Sequence, residues 1–250
     1  MTRLLHTTPV LLVALLASTP PAFAQQQPFP DRGFIVVNGG YQITRNDFEN
    51  ASTFSANAED GSFTTDYQVE GGPSFDVAGG ARLWRHLAVG VGVTRFSRST
   101  PSTLNGSVPH PFSFDRLRSV AGDVAGLKRE ELIVHVQARA IAPIGSRLQV
   151  MGFGGPSFFQ VKQGIVRTFT WADAYPFDEA TFGTATTVNA KGSKLGFHAG
   201  VDVAFFFSRQ VGVGGTIQFS GTTVELESAG GIQEVKAGGA RAGGGVRLRF

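Results

Sequence analysis

The sequence predicts an all-β fold: an eight-stranded antiparallel up-and-down transmembrane β-barrel, with three short turns at one end and long loops at the other. Three observations predict it. Eight segments alternate apolar and polar residues with period two, their connectors alternate in length, and 33 Gly accompany 22 Phe in 250 residues without a Cys. Gly weakens a helix interior by roughly 1 kcal/mol, whereas a β backbone tolerates it where it bends or must leave room. The lack of Cys excludes a disulfide framework, and the low charged fraction of 16% argues against long disordered tails.

Residues 1–24 read as a cleaved secretory signal, leaving 25–250 as the barrel domain. Arg3 supplies the basic start, Val10 to Ala17 the apolar run, and Ala22-Phe23-Ala24 the small-residue site ahead of Gln25. The run is too short for a hydrocarbon core that needs about 20 residues, so a membrane anchor is the weaker reading. The chain has 22 Lys and Arg against 19 Asp and Glu, and loss of Arg3 leaves a net charge near +2. No basic stripe suggests a nucleic-acid partner. Beyond Ala24 the longest apolar stretch is Val203 to Phe207, so any membrane crossing must use a closed barrel, which satisfies every backbone group in lipid.

The first strand, 33–44, sets Ile35, Val37, Tyr41 and Ile43 on one face. The second, 73–84, sets Phe75, Val77, Ala81 and Leu83 opposite Asp76, Gly80 and Arg82. The third, 87–96, sets Leu87, Val89, Val91 and Val93 against Ala88, Gly90, Gly92 and Thr94. The fourth, 132–142, sets Leu132, Val134, Val136 and Ala138 against His135, Gln137 and Arg139. The fifth, 148–163, mixes its faces around Gly152, Gly154, Gly155 and Pro156; its parity is open and a bulge is expected there. The sixth, 194–207, alternates Leu195, Phe197, Val201, Val203 and Phe205 with Lys194, His198 and Asp202. The seventh, 210–220, alternates Val211, Val213, Ile217 and Phe219 with Gly and polar residues. The eighth, 235–250, alternates Ala242, Val246, Leu248 and Phe250 with Arg241, Arg247 and Arg249.

Connectors at 85–86, 145–147 and 208–209 are short, and those at 45–66, 99–131 and 168–193 are long, the end-to-end asymmetry of membrane barrels. Parts of the long connectors read as strand extensions that project the barrel beyond the bilayer. Phe63, Thr65, Tyr67 and Val69 share the parity of Phe75 to Leu83, and Val120 and Val124 share that of Leu132 to Val136. A short helix through Leu117, Val120, Ala121 and Val124 competes, with Gly122 and Gly126 against it.

Magnitudes choose the lipid face. An Arg or Lys turned to the bilayer midplane costs about 2–4 kcal/mol, so the apolar faces point outward. The lumen of eight strands is only wide enough for side chains, and inward Gly and Ala leave space for a few long polar groups.

With this pattern and the ending Val246-Arg247-Leu248-Arg249-Phe250, residues 33–250 resemble the small outer-membrane β-barrel proteins of the OmpA-like transmembrane barrel and OmpW-like families. The terminal Phe250, with Leu248 and Val246 before it, is similar to the signal by which such barrels are recognised for insertion. The resemblance implies residence in the outer membrane of a Gram-negative type envelope. It implies lipid and lipopolysaccharide contact and a passing engagement with the barrel-assembly machinery. No peptidoglycan-binding domain follows Phe250 in this sequence.

The expected interior polar network is Asp76, Arg82, His135, Arg139, Lys194, His198, Asp202, Arg241 and Arg247. Such charges either pair with each other and with trapped water, or form a gate or anion path; unpaired burial is costly. No cofactor or metal is expected, because His135 and His198 have no further ligand at metal-binding spacing and His110 sits between Pro109 and Pro111 in a loop. No G-x-S-x-G elbow, phosphate loop or H-x-S pattern suggests an enzyme. Trp84 and Phe250 fit an interfacial girdle. Phe169, Trp171, Tyr175 and Phe177 fit internal loop packing better than a binding patch.

A non-enzymatic barrel with a structural or surface-interaction role is the expectation. The alternatives are a narrow channel or carrier for small or hydrophobic solutes and, less well supported, a secreted lipocalin-like barrel with its apolar face inside.

Overall fold

The computed structural model describes residues 32–228 and 231–250; the signal expected at 1–24 lies outside the described residues. Ten antiparallel strands run in order: β1 (Gly33–Gln42), β2 (Asn46–Ala56), β3 (Glu59–Val69), β4 (Gly72–Trp84), β5 (Leu87–Pro109), β6 (Leu117–Ile144), β7 (Leu148–Asp173), β8 (Ala180–Phe206), β9 (Val211–Ser228) and β10 (Gly231–Arg249). β1 runs on into β2 and β3 into β4 with short breaks, so the ten strands make eight staves. β1 pairs both β10 and β4, and the β5–β6 ladder closes the ring.

Most of the long connectors are strand. β5 pairs β4 from Leu87 to Phe96 and then β3 from Ser102 to Ser107, so one stave spans both heights of the barrel. The competing helix at 117–124 is likewise strand, paired to β5. Among the described residues, what remains irregular at this end is short: a two-residue turn at Asn57-Ala58, both with positive φ, and connectors at 110–116 and 174–179.

The barrel has two storeys with opposite chemistry. On β5 the outward residues are Leu87, Val89, Val91 and Val93, then Arg95, Thr103 and Asn105; the inward ones are Ala88, Gly92 and Thr94, then Phe96, Leu104 and Val108. β6 changes at the matching height, from outward Leu132, Val134 and Val136 to outward Glu130 and Lys128. Alternation along a strand is fixed by geometry, but the solvent on each face is not. Hydrocarbon selects apolar-out below the change, and water selects apolar-in above it. The upper storey therefore packs Phe63, Tyr67, Leu104, Val120, Phe159, Ile165, Phe169 and Leu226 into one core, each large apolar chain contributing roughly 1.5–3 kcal/mol.

This inversion corrects two parity expectations. Phe63, Tyr67 and Val69 point inward while Phe75, Val77 and Leu83 point outward, because the break at Glu70-Gly71 slips the phase between inward Val69 and inward Gly72. Val120 and Val124 point inward while Leu132 to Val136 point outward. There the slip occurs beside Gly126, whose φ of 77° suits glycine, opposite the irregularity at Thr100/Ser102. The bulge expected in 148–163 is absent: the β7–β8 register holds from Leu148 to Val166, with odd positions from Gln149 to Gln163 inward, and its slips lie above, at Val166/Thr168 and Phe169/Trp171.

Closure requires glycine where β1 and β10 approach closely. A Cβ on Gly40 would sit 2.6 Å from the Ala242 carbonyl oxygen, and one on Gly245 would collide with that of Val37. Gly39, one residue along, has open space. Gly245→Ala is therefore expected to cost about 1–3 kcal/mol in unfolding free energy and Gly39→Ala much less, read by urea titration of the folded barrel.

Candidate functional site

In the lower storey every stave turns alternate side chains inward, and the pleat aims polar groups from distant positions at one axis. The orientation is decided by exposure: Val201 is 50% exposed while its neighbour Asp202 is 1% exposed. The apolar-inside lipocalin-like arrangement is thus not that of this storey.

The lumen is built around Asp202 on β8 and Arg247 on β10. They form a bidentate pair with both side chains 2% exposed, Arg247 Nε lying 3.3 Å from Asp202 Oδ1 and Nη2 bonding Oδ2. Arg247 Nη1 donates to Asn38 Oδ1 at 2.6 Å and Nη2 to Thr216 Oγ1 at 2.9 Å; Thr216 in turn donates to Asp202. Asn38 Nδ2 reaches Asp76 Oδ1 at 3.2 Å, and Thr94 Oγ1 donates to Asp76 Oδ2 at 3.0 Å. From Thr94 the chain of bonds continues to His135 Nε2 at 2.9 Å, from His135 Nδ1 to Ser157 Oγ at 2.8 Å, and from Ser157 to His198 Nδ1 at 2.9 Å.

Of the other expected residues, Arg139 stacks on Phe34 and Phe153, 4.5 and 5.2 Å from the ring centroids. Arg241 Nη2 donates to Ser220 Oγ at 2.5 Å, and Arg82 lines a cavity with Arg139 at the short-turn end. Lys194 departs from the network. Its side chain is half exposed and bonds Glu225, an exposed residue of β9, because the regular β8–β9 ladder ends at Phe197 and no longer constrains the position. His110 shapes its loop by accepting the Phe112 amide at 3.1 Å.

The lumen is filled. Cavities along the network measure about 10 to 30 Å³, space for one or two waters each. Below them Ala88, Ile141, Met151, Ala204 and Phe206 form an apolar plug. Ser157, 2% exposed, sits between the two imidazoles and bonds a ring nitrogen of each.

A second buried ion pair, Arg129–Glu131, lies where the storeys meet. Arg129 Nε donates to Glu131 Oε1 at 2.8 Å and Nη2 to the Lys236 carbonyl at 2.5 Å, while Glu131 Oε2 accepts the Gly238 amide at 3.0 Å. Sequence reasoning missed this pair, although both residues share the odd parity of His135 and Arg139. Arg118, also missed and without a sequence signal, pins the crown loops: it bonds Asp173 at 2.6 Å and the Pro109 carbonyl at 2.8 Å. Above the pair, burial pushes the Tyr67 phenol up from its ordinary range, and its oxygen accepts the Val166 amide at 2.9 Å.

Exposed Trp84 and Phe250 sit at the short-turn end, and exposed Tyr41, Phe75 and Phe219 at the other edge of the apolar belt. Phe169 and Trp171 pack internally against Phe54, whereas Tyr175, 88% exposed, stands at a loop tip with Phe177 and Phe112.

A closed barrel with an apolar belt and a charged lumen is a membrane-spanning β-barrel. No family model matches the chain, and no curated protein matches it. Among solved structures it is similar to Ail, the attachment invasion locus protein of Yersinia pestis, in complex with the heparin analogue sucrose octasulfate. The identity is 11%, the match covers 87% of this chain and 99% of that one, and the TM-score is 0.38. Neisserial surface protein A is similar at 12% identity, with 87% and 97% covered and a TM-score of 0.39. The outer membrane protease OmpT from Escherichia coli is similar at 5% identity, with 90% and 99% covered and a TM-score of 0.45. The membrane reading rests on this chain's own belt and lumen.

Proposed function

We propose that this is a non-enzymatic outer-membrane protein: a sealed anchor in the bilayer that carries a projecting barrel crown for surface interaction. The carrying observation is the filled lumen, in which Asp202, Arg247, Asn38 and Thr216 satisfy one another across four staves. Such a network ties staves together at fixed distances, with cavities of only about 10 to 30 Å³ beside it, which supports anchoring over conduction.

The reading includes export by a leader at 1–24 and residence among outer-membrane lipid and lipopolysaccharide. Val246 and Leu248 face outward on β10 and Phe250 is exposed just past its end, where the barrel-assembly machinery would meet them. Planar-bilayer recording of the purified protein is expected to show no discrete conductance steps. Reproducible steps in the wild type would replace the sealed anchor with the narrow channel.

A further inference from the structure

A cavity lies outside the lumen network, between the β2–β3 hairpin and the β7–β8 pair. It measures about 580 Å³, within the range of small-molecule sites. Ile165, Val166 and Val188 line it with hydrocarbon, and Ser52 and Thr64 add hydroxyls. Arg167 is its one charged lining residue.

Two independent features single out Arg167. The first is backbone geometry: the β7–β8 register slips between Val166 and Thr168, so Arg167 is the unpaired residue of a bulge, the device by which a strand re-aims a side chain. The second is charge. Arg45, Arg98, Arg116, Arg118 and Arg129 of the projecting storey each hold a carboxylate, at 2.6 to 3.3 Å, and Arg95 approaches one at 4.0 Å. Among the described residues Arg167 has no such partner, and it is the arginine on the rim of the ligand-sized cavity.

We propose that this crown cavity binds a small amphipathic anion, its carboxylate or phosphate on the Arg167 guanidinium and its hydrocarbon against Ile165, Val166 and Val188. A guanidinium offers paired donors to either oxyanion, and Ser52 and Thr64 supply neutral hydrogen bonds beside it. Just ahead of the bulge Ile165 and Val166 are both buried, whereas Arg167 is exposed.

The test is methyl NMR on the full barrel in a non-ionic micelle, titrated with hexanoate and hexyl phosphate, and with hexanol and hexylamine as probes lacking the anion. Saturable shifts confined to the Ile165, Val166 and Val188 methyls are expected with at least one of the two anions, and which one binds distinguishes carboxylate from phosphate. Arg167→Gln is expected to weaken binding about tenfold or more, and Arg45→Gln to leave it unchanged. The proposal is overturned if neither anion gives saturable shifts, if hexanol or hexylamine binds as well, or if Arg167→Gln binds like the wild type.

Discussion

Asp202→Ala is expected to lower the unfolding free energy by about 3–5 kcal/mol, the largest single-residue effect in the lumen. Arg247 lies 2% exposed against this carboxylate, and its other acceptors, Asn38 and Thr216, are neutral. Removing Asp202 strands the guanidinium among dipoles in a space with room for one or two waters. The loss therefore measures an uncompensated charge rather than the net worth of the pair. Replacing both partners, as Asp202→Leu with Arg247→Met, is expected to recover most of it, since a matched apolar pair has no stranded charge. Urea unfolding in lipid vesicles, followed by the fluorescence of Trp84 and Trp171, reads both variants. A single-variant loss below about 1 kcal/mol would mean that the pair is hydrated and the lumen open.

Val91→Arg is expected to cost about 2–4 kcal/mol in the same assay, while Asn105→Arg, on the same face of the same strand, changes stability by no more than about 0.5 kcal/mol. Val91 faces outward between Val89 and Val93, inside the apolar belt; Asn105 faces outward above Arg95, where the neighbours are polar. The contrast isolates the solvent, because strand, face and introduced side chain are shared. Equal costs would show that both positions meet the same medium and would erase the boundary between storeys.

The eight staves and the lower lumen were legible because lipid enforces a strict rule: every outward position from Leu87 to Val93, or from Phe197 to Phe205, must be apolar or small. The same rule misled where it ceased to apply. Phe63, Tyr67, Val120 and Val124 look lipid-facing by parity, yet they fill the aqueous crown's core, because Gly71 and Gly126 slip the phase at the height where the outer solvent changes. Lys194 shared the parity of Asp202 but escaped the lumen where its ladder to β9 ended, a long-range event that local spacing does not record. Arg129 and Glu131 were within reach of the parity argument, had the strand at 132–142 been extended toward its N-terminus. The seam between β2 and β10, bridged by Asn46 to the Gly238 carbonyl at 3.0 Å and Asn50 to Gln233 at 3.2 Å, depends on contacts more than 180 residues apart.

One alternation serves two solvents along the staves, and a spin-label accessibility scan separates the two. The chain has no Cys, so each introduced cysteine carries a unique nitroxide. Labels at 197, 201, 203 and 205 of β8 should be relaxed by lipid-soluble oxygen and those at 198, 202 and 204 by neither oxygen nor a water-soluble nickel chelate. Labels at 103 and 105 of β5 should respond to the chelate. Oxygen access at the even positions of β8, or chelate access at its odd ones, would contradict the assignment of faces and of the bilayer boundary together.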